Sequence, residues 1–278
     1  MFAIVLALSS AALYGAADFM GGLAAKQTQT LLVVAISQLA GFVVVLALTG
    51  PLGGTPHSRD LALGAAAGAV GALALTVFYR ALAQGSMSVV APVTSVCTAL
   101  VPVVAGLATG DVVGAPALAG FALALPAVAL VAGVGPVSSL RMERASFVAA
   151  LVAGTAFGVV LLLLHASSRD SGLWPLVSAR VASALAIGAL LAVRRIPVRM
   201  SPRALPLIAA AGIADMAANA LFLVAVHDGP LSVVGLLSSL YPVSTVVLAT
   251  LLLHERLSPA QLAGVGGCAV AVALIASS

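Results

Sequence analysis

Charge is what this sequence has least of. Asp, Glu, Lys and Arg together make up 7% of the residues, where a soluble domain carries roughly 25%. Aromatic side chains are scarce too, at 4%, with a single tryptophan. Hydrophobic residues fill the gap at 62%. A chain of this length folded in water has no interior large enough to hide that much apolar surface. The expected solvent is therefore the lipid bilayer, with the chain an integral, multi-pass membrane protein. The formal net charge of +4 is scattered along the chain. Nothing supports a nucleic-acid partner, which needs a basic patch or stripe.

Other absences narrow the chemistry. The two cysteines, Cys97 and Cys268, sit in apolar runs without metal-ligand spacing and read as small buried hydrophobes. There is no Gly-rich Walker motif, no His-Glu-x-x-His and no nucleophile elbow. No cofactor or metal is therefore expected, and nucleotide-driven pumping by this chain alone has no support. Missing as well is the ten-residue polar/apolar alternation of outer-membrane strands, which excludes a β-barrel.

What is present is a series of apolar runs of roughly 20 residues, the length a helix needs to cross hydrocarbon. The runs predict spans over about 2–25, 30–50, 60–82, 86–108, 114–134, 145–167, 173–193, 204–226, 230–253 and 258–276. The breaks carry turn chemistry: Gly50-Pro51, Gly53-Gly54-Thr55-Pro56, Gly135-Pro136, Asp228-Gly229-Pro230 and Ser258-Pro259. The first run lacks a preceding Lys or Arg and exceeds a signal-peptide core in length, so it reads as a mature helix.

The chain also repeats itself. Moved back by 144 positions, Ala204–Ala276 falls on Asp60–Ala132 without a gap, and roughly 25 of 73 positions coincide. Composition bias inflates that count, but the punctuation agrees too. Gly68 meets Gly212, Phe78 meets Phe222, Gly85 meets Gly229, Ser95 meets Ser239 and Asp111 meets Glu255. Tyr14-Gly15 likewise resembles Phe157-Gly158, and Lys26 corresponds to Arg169. The fold class expected is an all-α polytopic membrane protein, with about ten helices in two five-helix repeats over 1–135 and 145–278, joined by 136–144. An odd helix number turns the second copy upside down, the inverted-repeat scheme of many secondary transporters. Basic residues gather after odd-numbered helices (Lys26, Arg80, Arg141, Arg144, Arg194, Arg195, Arg199, Arg203 and Arg256), against Arg59 and Arg169 elsewhere. That bias places the termini outside the cell.

The closing Tyr241-Pro242 and Leu252-Leu253-His254-Glu255-Arg256-Leu257-Ser258-Pro259-Ala260-Gln261-Leu262-Ala263-Gly264 resemble the EamA-type drug/metabolite transporter superfamily. The opening Leu13-Tyr14-Gly15-Ala16-Ala17-Asp18-Phe19 is similar to its first helix. The resemblance implies a secondary transporter, often an exporter of amino acids or other small metabolites, with a central cavity. It also implies cytoplasmic termini, opposite to the charge bias. A second departure is Cys97-Thr98 in the first copy where the second has Tyr241-Pro242.

Ionisable groups inside a span mark function or structural pairing. Three lie there: Asp18, Arg180 and Asp215. Ser10, Tyr14, Asp18 and Gly22 share a face of the first helix. Asp18 is expected to exchange a proton or bind a cationic group of the cargo, the alternative being a salt bridge to Arg180. The Arg180 guanidinium could clamp a carboxylate or phosphate, or pair with Asp215 or backbone carbonyls. Asn219, one turn from Asp215, suits orientation of a neighbour or a helix–helix hydrogen bond. Ser239 and Tyr241 line a cavity or simply belong to a small-residue stripe, and Gln38 stands near the first-copy position of Arg180. Arg80 and His165 lie at span ends and suit snorkelling. Glu255 and Arg256 suit a cap, and Trp174 an interfacial anchor.

These groups favour a transporter of small polar metabolites, proton- or exchange-coupled. An intramembrane enzyme needs an inward constellation, whereas His165 and His227 stand far apart at span ends. A non-transporting scaffold needs no mid-membrane charge. Channel-type rings of charge are absent.

Overall fold

The computed structural model describes residues 1–84, 87–111, 114–131, 144–195, 202–253 and 258–276. The 136–143 part of the expected linker, Gly85, Gly135, Arg141, Arg199 and the stretch His254-Glu255-Arg256-Leu257 lie outside the described residues. Among those described, all regular structure is helical. The helices are α1 (Phe2–Ala25), α2 (Thr30–Leu52), α3 (Ser58–Gln84), α4 (Met87–Ala108), α5 (Ala115–Val131) and α6 (Arg144–His165). They continue with α7 (Trp174–Val193), α8 (Leu205–Asp228), α9 (Leu231–Ser238), α10 (Tyr241–Leu253) and α11 (Pro259–Ala276). Six of them, α1, α2, α3, α6, α7 and α8, contain segments long and apolar enough to cross a membrane, and shorter apolar helices accompany them.

Side chains are distributed inside out relative to a soluble protein. Leu185, Val43, Leu251 and Leu262 are more than 60% exposed, while Arg180, Gln38, Ser10 and Ser183 are buried. Lipid accepts the former, and the latter require protein partners. Helices meet that second demand locally as well: Thr49, Thr76 and Thr94 each bond the carbonyl four residues earlier in the same helix.

The expected ninth run is not one helix. It divides at Ser239-Leu240 into α9 and α10, and Pro242 is the reason. Proline has no N–H for the Ser238 carbonyl, and its ring crowds that position. The chain tightens instead to three-residue bonds, Leu240 N to Leu237 O at 3.2 Å and Val243 N to Leu240 O at 3.1 Å. Because Val243 turns to Leu240, the Ser239 carbonyl is free to accept the Ser95 hydroxyl at 2.5 Å. Thr98 stands 144 residues before Pro242, and α4 runs unbroken there, with Pro102 lying further along the same helix.

Packing is closest where small residues cross. α1 lies on α8, α2 on α7 and α8, α3 on α6 and α7, α4 on α6 and α9, and α5 on α11. A methyl group at Gly212 of α8 would overlap the Ser37 main chain of α2, and one at Gly68 of α3 would overlap Ala179 of α7. One end of the bundle is stitched by loops. Gly53 and Gly54 adopt positive φ and nest against Gly172 and Ser171. Thr55 N bonds Asp170 O at 2.8 Å, Trp174 Nε1 donates to Gly54 O at 3.2 Å, and Asp60 accepts the Ser168 and Ser171 hydroxyls. Arg169 pairs with Asp228, and Asp111 accepts Ser232 N at 2.8 Å. Trp174 is thus a loop fastener by its hydrogen bond.

Gly68→Ala and Gly212→Ala should each lower stability, by about 1–3 kcal/mol for an overpacked crossing. Gly188→Ala, where a methyl meets nothing within 4 Å, should be neutral or stabilising. Melting temperatures of the purified chain check the contrast, and equal melting for all three would contradict the close-crossing argument.

Candidate functional site

A cavity partly open to solvent, with ≈ 840 Å³ of empty space counting that opening, lies between α1, α2, α3, α4, α6, α7, α8 and the α9–α10 break. Its polar wall begins with α1. The Ser10 hydroxyl donates to Ala218 O of α8 at 2.8 Å, which fixes the rotation of α1. Tyr14 and Asp18, one and two turns further, then face the cavity. Gln38 comes from α2, Arg180 from α7, Asp215 and Asn219 from α8, and Ser239 and Tyr241 from the break. All eight positions singled out in the sequence therefore line one space.

Their bonding differs from group to group. Arg180, 7% exposed, donates through Nη2 to Asp215 Oδ2 at 2.5 Å, through Nη1 to Gln38 Oε1 and through Nε to Met216 Sδ at 3.3 Å. The guanidinium is held by its own protein, with a carboxylate neutralising it. Of the readings open for Arg180, pairing with Asp215 is the one found. The alternative salt bridge from Asp18 is not formed: Asp18 makes no hydrogen bond or ion pair among the described residues. Asn219 Nδ2 donates to Asp215 O of its own helix at 2.8 Å rather than across to a neighbour. Ser239 Oγ likewise donates to Gly235 O at 2.7 Å.

Two hydroxyls on the lining have no partner. Ser238 Oγ and Tyr241 OH are buried and unbonded, and both residues border the cavity. The hydroxyl of Thr98, also on the lining, is directed to the Thr94 and Gly154 carbonyls. A buried polar group left unsatisfied costs about 1–3 kcal/mol, so a polar occupant of the cavity has two bonds waiting.

The apolar wall was not singled out from sequence. It comprises Gly71, Leu75, Phe157, Leu161, Leu164 and Leu176. A signal for it existed. The match of Tyr14-Gly15 to Phe157-Gly158 carries Asp18 onto Leu161, and the 144-residue slide carries Asp215 back onto Gly71. Ser238 had no such marker. The two histidines expected to stand far apart are in fact neighbours at one end: His227 Nε2 bonds Ser167 O at 2.9 Å, two residues beyond His165. The membrane ends of α6 and α8 meet there, which linear distance in the chain conceals. Neither histidine reaches the cavity. Among the described residues no group of three or more His, Cys, Asp and Glu could hold a metal.

The model of the EamA-like transporter family matches residues 139–277, half of the chain. The chain belongs to the EamA-like transporter family. The crystal structure of another protein shares its fold, with TM-score 0.71 and 19% identity, covering 97% of this chain and 98% of its own. At that identity the likeness concerns the fold alone. Comparison with curated proteins returns no match. This EamA-like chain is therefore a polytopic membrane transporter, and its family is not one of enzymes.

The Arg180–Asp215 contact should behave as a coupled pair. Asp215→Leu leaves a buried guanidinium without its counter-ion, and Arg180→Met leaves a carboxylate, so each should destabilise. A buried pair broken from one side costs about 3–5 kcal/mol, reduced here because the Asp215 side chain is 23% exposed. The double variant should melt above either single variant. Strictly additive melting shifts would contradict the pairing.

Proposed function

We propose that this EamA-like protein is a secondary transporter, an exporter of small polar metabolites such as amino acids. It works by alternating access to the central cavity, coupled to protons or to exchange. The observation that carries the reading is the cavity itself, lying among the crossing helices with two unbonded hydroxyls and the free Asp18 carboxylate on its lining.

The proposal includes two inverted five-helix repeats, over 1–135 and 145–278, with ten membrane crossings if α9 and α10 count as one. Packing supports it. α1 on α8 has its counterpart in α6 on α3, and α2 on α8 in α7 on α3. The close approach of Gly15 to Tyr241 O is echoed by Gly158 against Thr98 O, one position past the counterpart of Tyr241. Equivalent residues also touch each other, as only residues on a two-fold axis do. Ser95 bonds Ser239, its partner at a separation of 144, and Gln38, near the first-copy position of Arg180, bonds that residue. Such a pair of mirrored halves opens to either face at similar energy. The stitched loops at one end then represent one closed gate.

Vesicles containing the purified chain and loaded with labelled amino acids and amines test this. Saturable efflux above empty vesicles is expected, accelerated by an inward proton gradient or by external cargo, and reduced at least tenfold by Asp18→Asn. Flux equal to empty vesicles for every compound would overturn it.

A further inference from the structure

Corresponding positions of the two halves face the same cavity with opposite character. Asp18 of α1 answers to Leu161 of α6, and Asp215 of α8 answers to Gly71 of α3; all four line the space. The same holds for Tyr14 against Phe157 and Asn219 against Leu75. Polar members sit on the packed pair α1–α8, apolar members on the packed pair α3–α6. The axis contact between Gln38 and Arg180 lies between the two walls. The cavity thus has a polar side on α1 and α8 and an apolar side on α3 and α6.

Its charge is also one-sided. Among the described lining residues Arg180 is the one cation, facing Asp18 and Asp215. Each Arg180 nitrogen has an acceptor within the protein, and its charge is matched by Asp215. A cargo carboxylate therefore finds Arg180 already charge-matched by Asp215, and meets the Asp18 carboxylate. A cargo ammonium finds Asp18 without a counter-ion, and the hydroxyls of Ser238 and Tyr241 without partners. On the opposite wall Gly71 leaves a slot: a Cβ there would meet only the Val160 side chain, at 3.5 Å.

We propose that the cargo is an amphipathic amine, its cationic head held by Asp18 and its apolar body laid against the α3–α6 wall over Gly71. This rests on the transport reading above and narrows it from polar metabolites at large to amines with an apolar body. Asp18 supplies the charge that selects the head. Gly71 sets the breadth of body admitted.

The test uses the full chain in detergent and three probes of matched size: 2-phenylethylamine, 3-phenylpropionate and 3-phenylpropanol, with ethylamine as the body-less control. Melting shifts and dialysis binding should show the amine bound at least tenfold more tightly than the acid or the alcohol. Asp18→Asn, nearly isosteric, should melt like the parent without ligand and lose the amine preference, and Asp18→Glu should keep it. Gly71→Leu should weaken 2-phenylethylamine at least tenfold more than ethylamine. Equal or better binding of the acid, or an amine preference that survives Asp18→Asn, overturns the proposal while leaving transport intact. Amine binding without flux in vesicles upholds the ligand class and removes the transport reading. Absence of both binding and flux for all probes overturns both.

Discussion

An ionised side chain at the centre of a bilayer costs about 2.5–3.5 kcal/mol or more to place there, and the architecture turns on how three of them are accommodated. Arg180 and Asp215 neutralise one another, and Gln38 and Met216 each take a further guanidinium N–H. This draws α2, α7 and α8 together. Because the arginine sits where small residues let the backbones approach, as at Gly212 against Ser37, its position is set by packing as well as charge. Asp18 is left over. A carboxylate without a partner in such surroundings persists where water or cargo reaches it, and the cavity is where it points.

Small departures from symmetry give the two halves different work. The helix with Pro242 is broken beside it, while its counterpart α4, with threonine at 98, is continuous. The break exposes the Ser239 carbonyl to Ser95 and carries the unbonded hydroxyls of Ser238 and Tyr241 to the lining. An interruption of this kind is tolerated at membrane depth because it borders a cavity and is buried in protein. The sealed end has separate fasteners, Asp60 with two serines and Arg169 with Asp228. Such contacts can part without disturbing the core.

Much of the helical plan was legible in the sequence, for a physical reason. Turn residues such as Gly53-Gly54 and Asp228-Gly229-Pro230 must sit where helices stop, so the observed ends fall within a few residues of the apolar runs. The division of α9 from α10 was overlooked although Pro242 stood in view, because hydropathy is continuous across it. The cavity residues were found through the rarity of polar groups in the spans. Their partners were not: Arg180 had two carboxylates within reach, and helix rotation, set by contacts such as Ser10 with Ala218, decides between them. Asn219 turned back on its own helix, a choice no spacing reveals.

The account stands on a wet chamber reachable from both faces of the membrane. Asn219→Cys, in a chain with Cys97 and Cys268 replaced by alanine, can be exposed to a membrane-impermeant thiol reagent from each face of sealed vesicles. Modification from both faces, far faster than at the lipid-facing Leu185→Cys, is the result expected. No modification from either face, or a rate no greater than at position 185, would contradict the account.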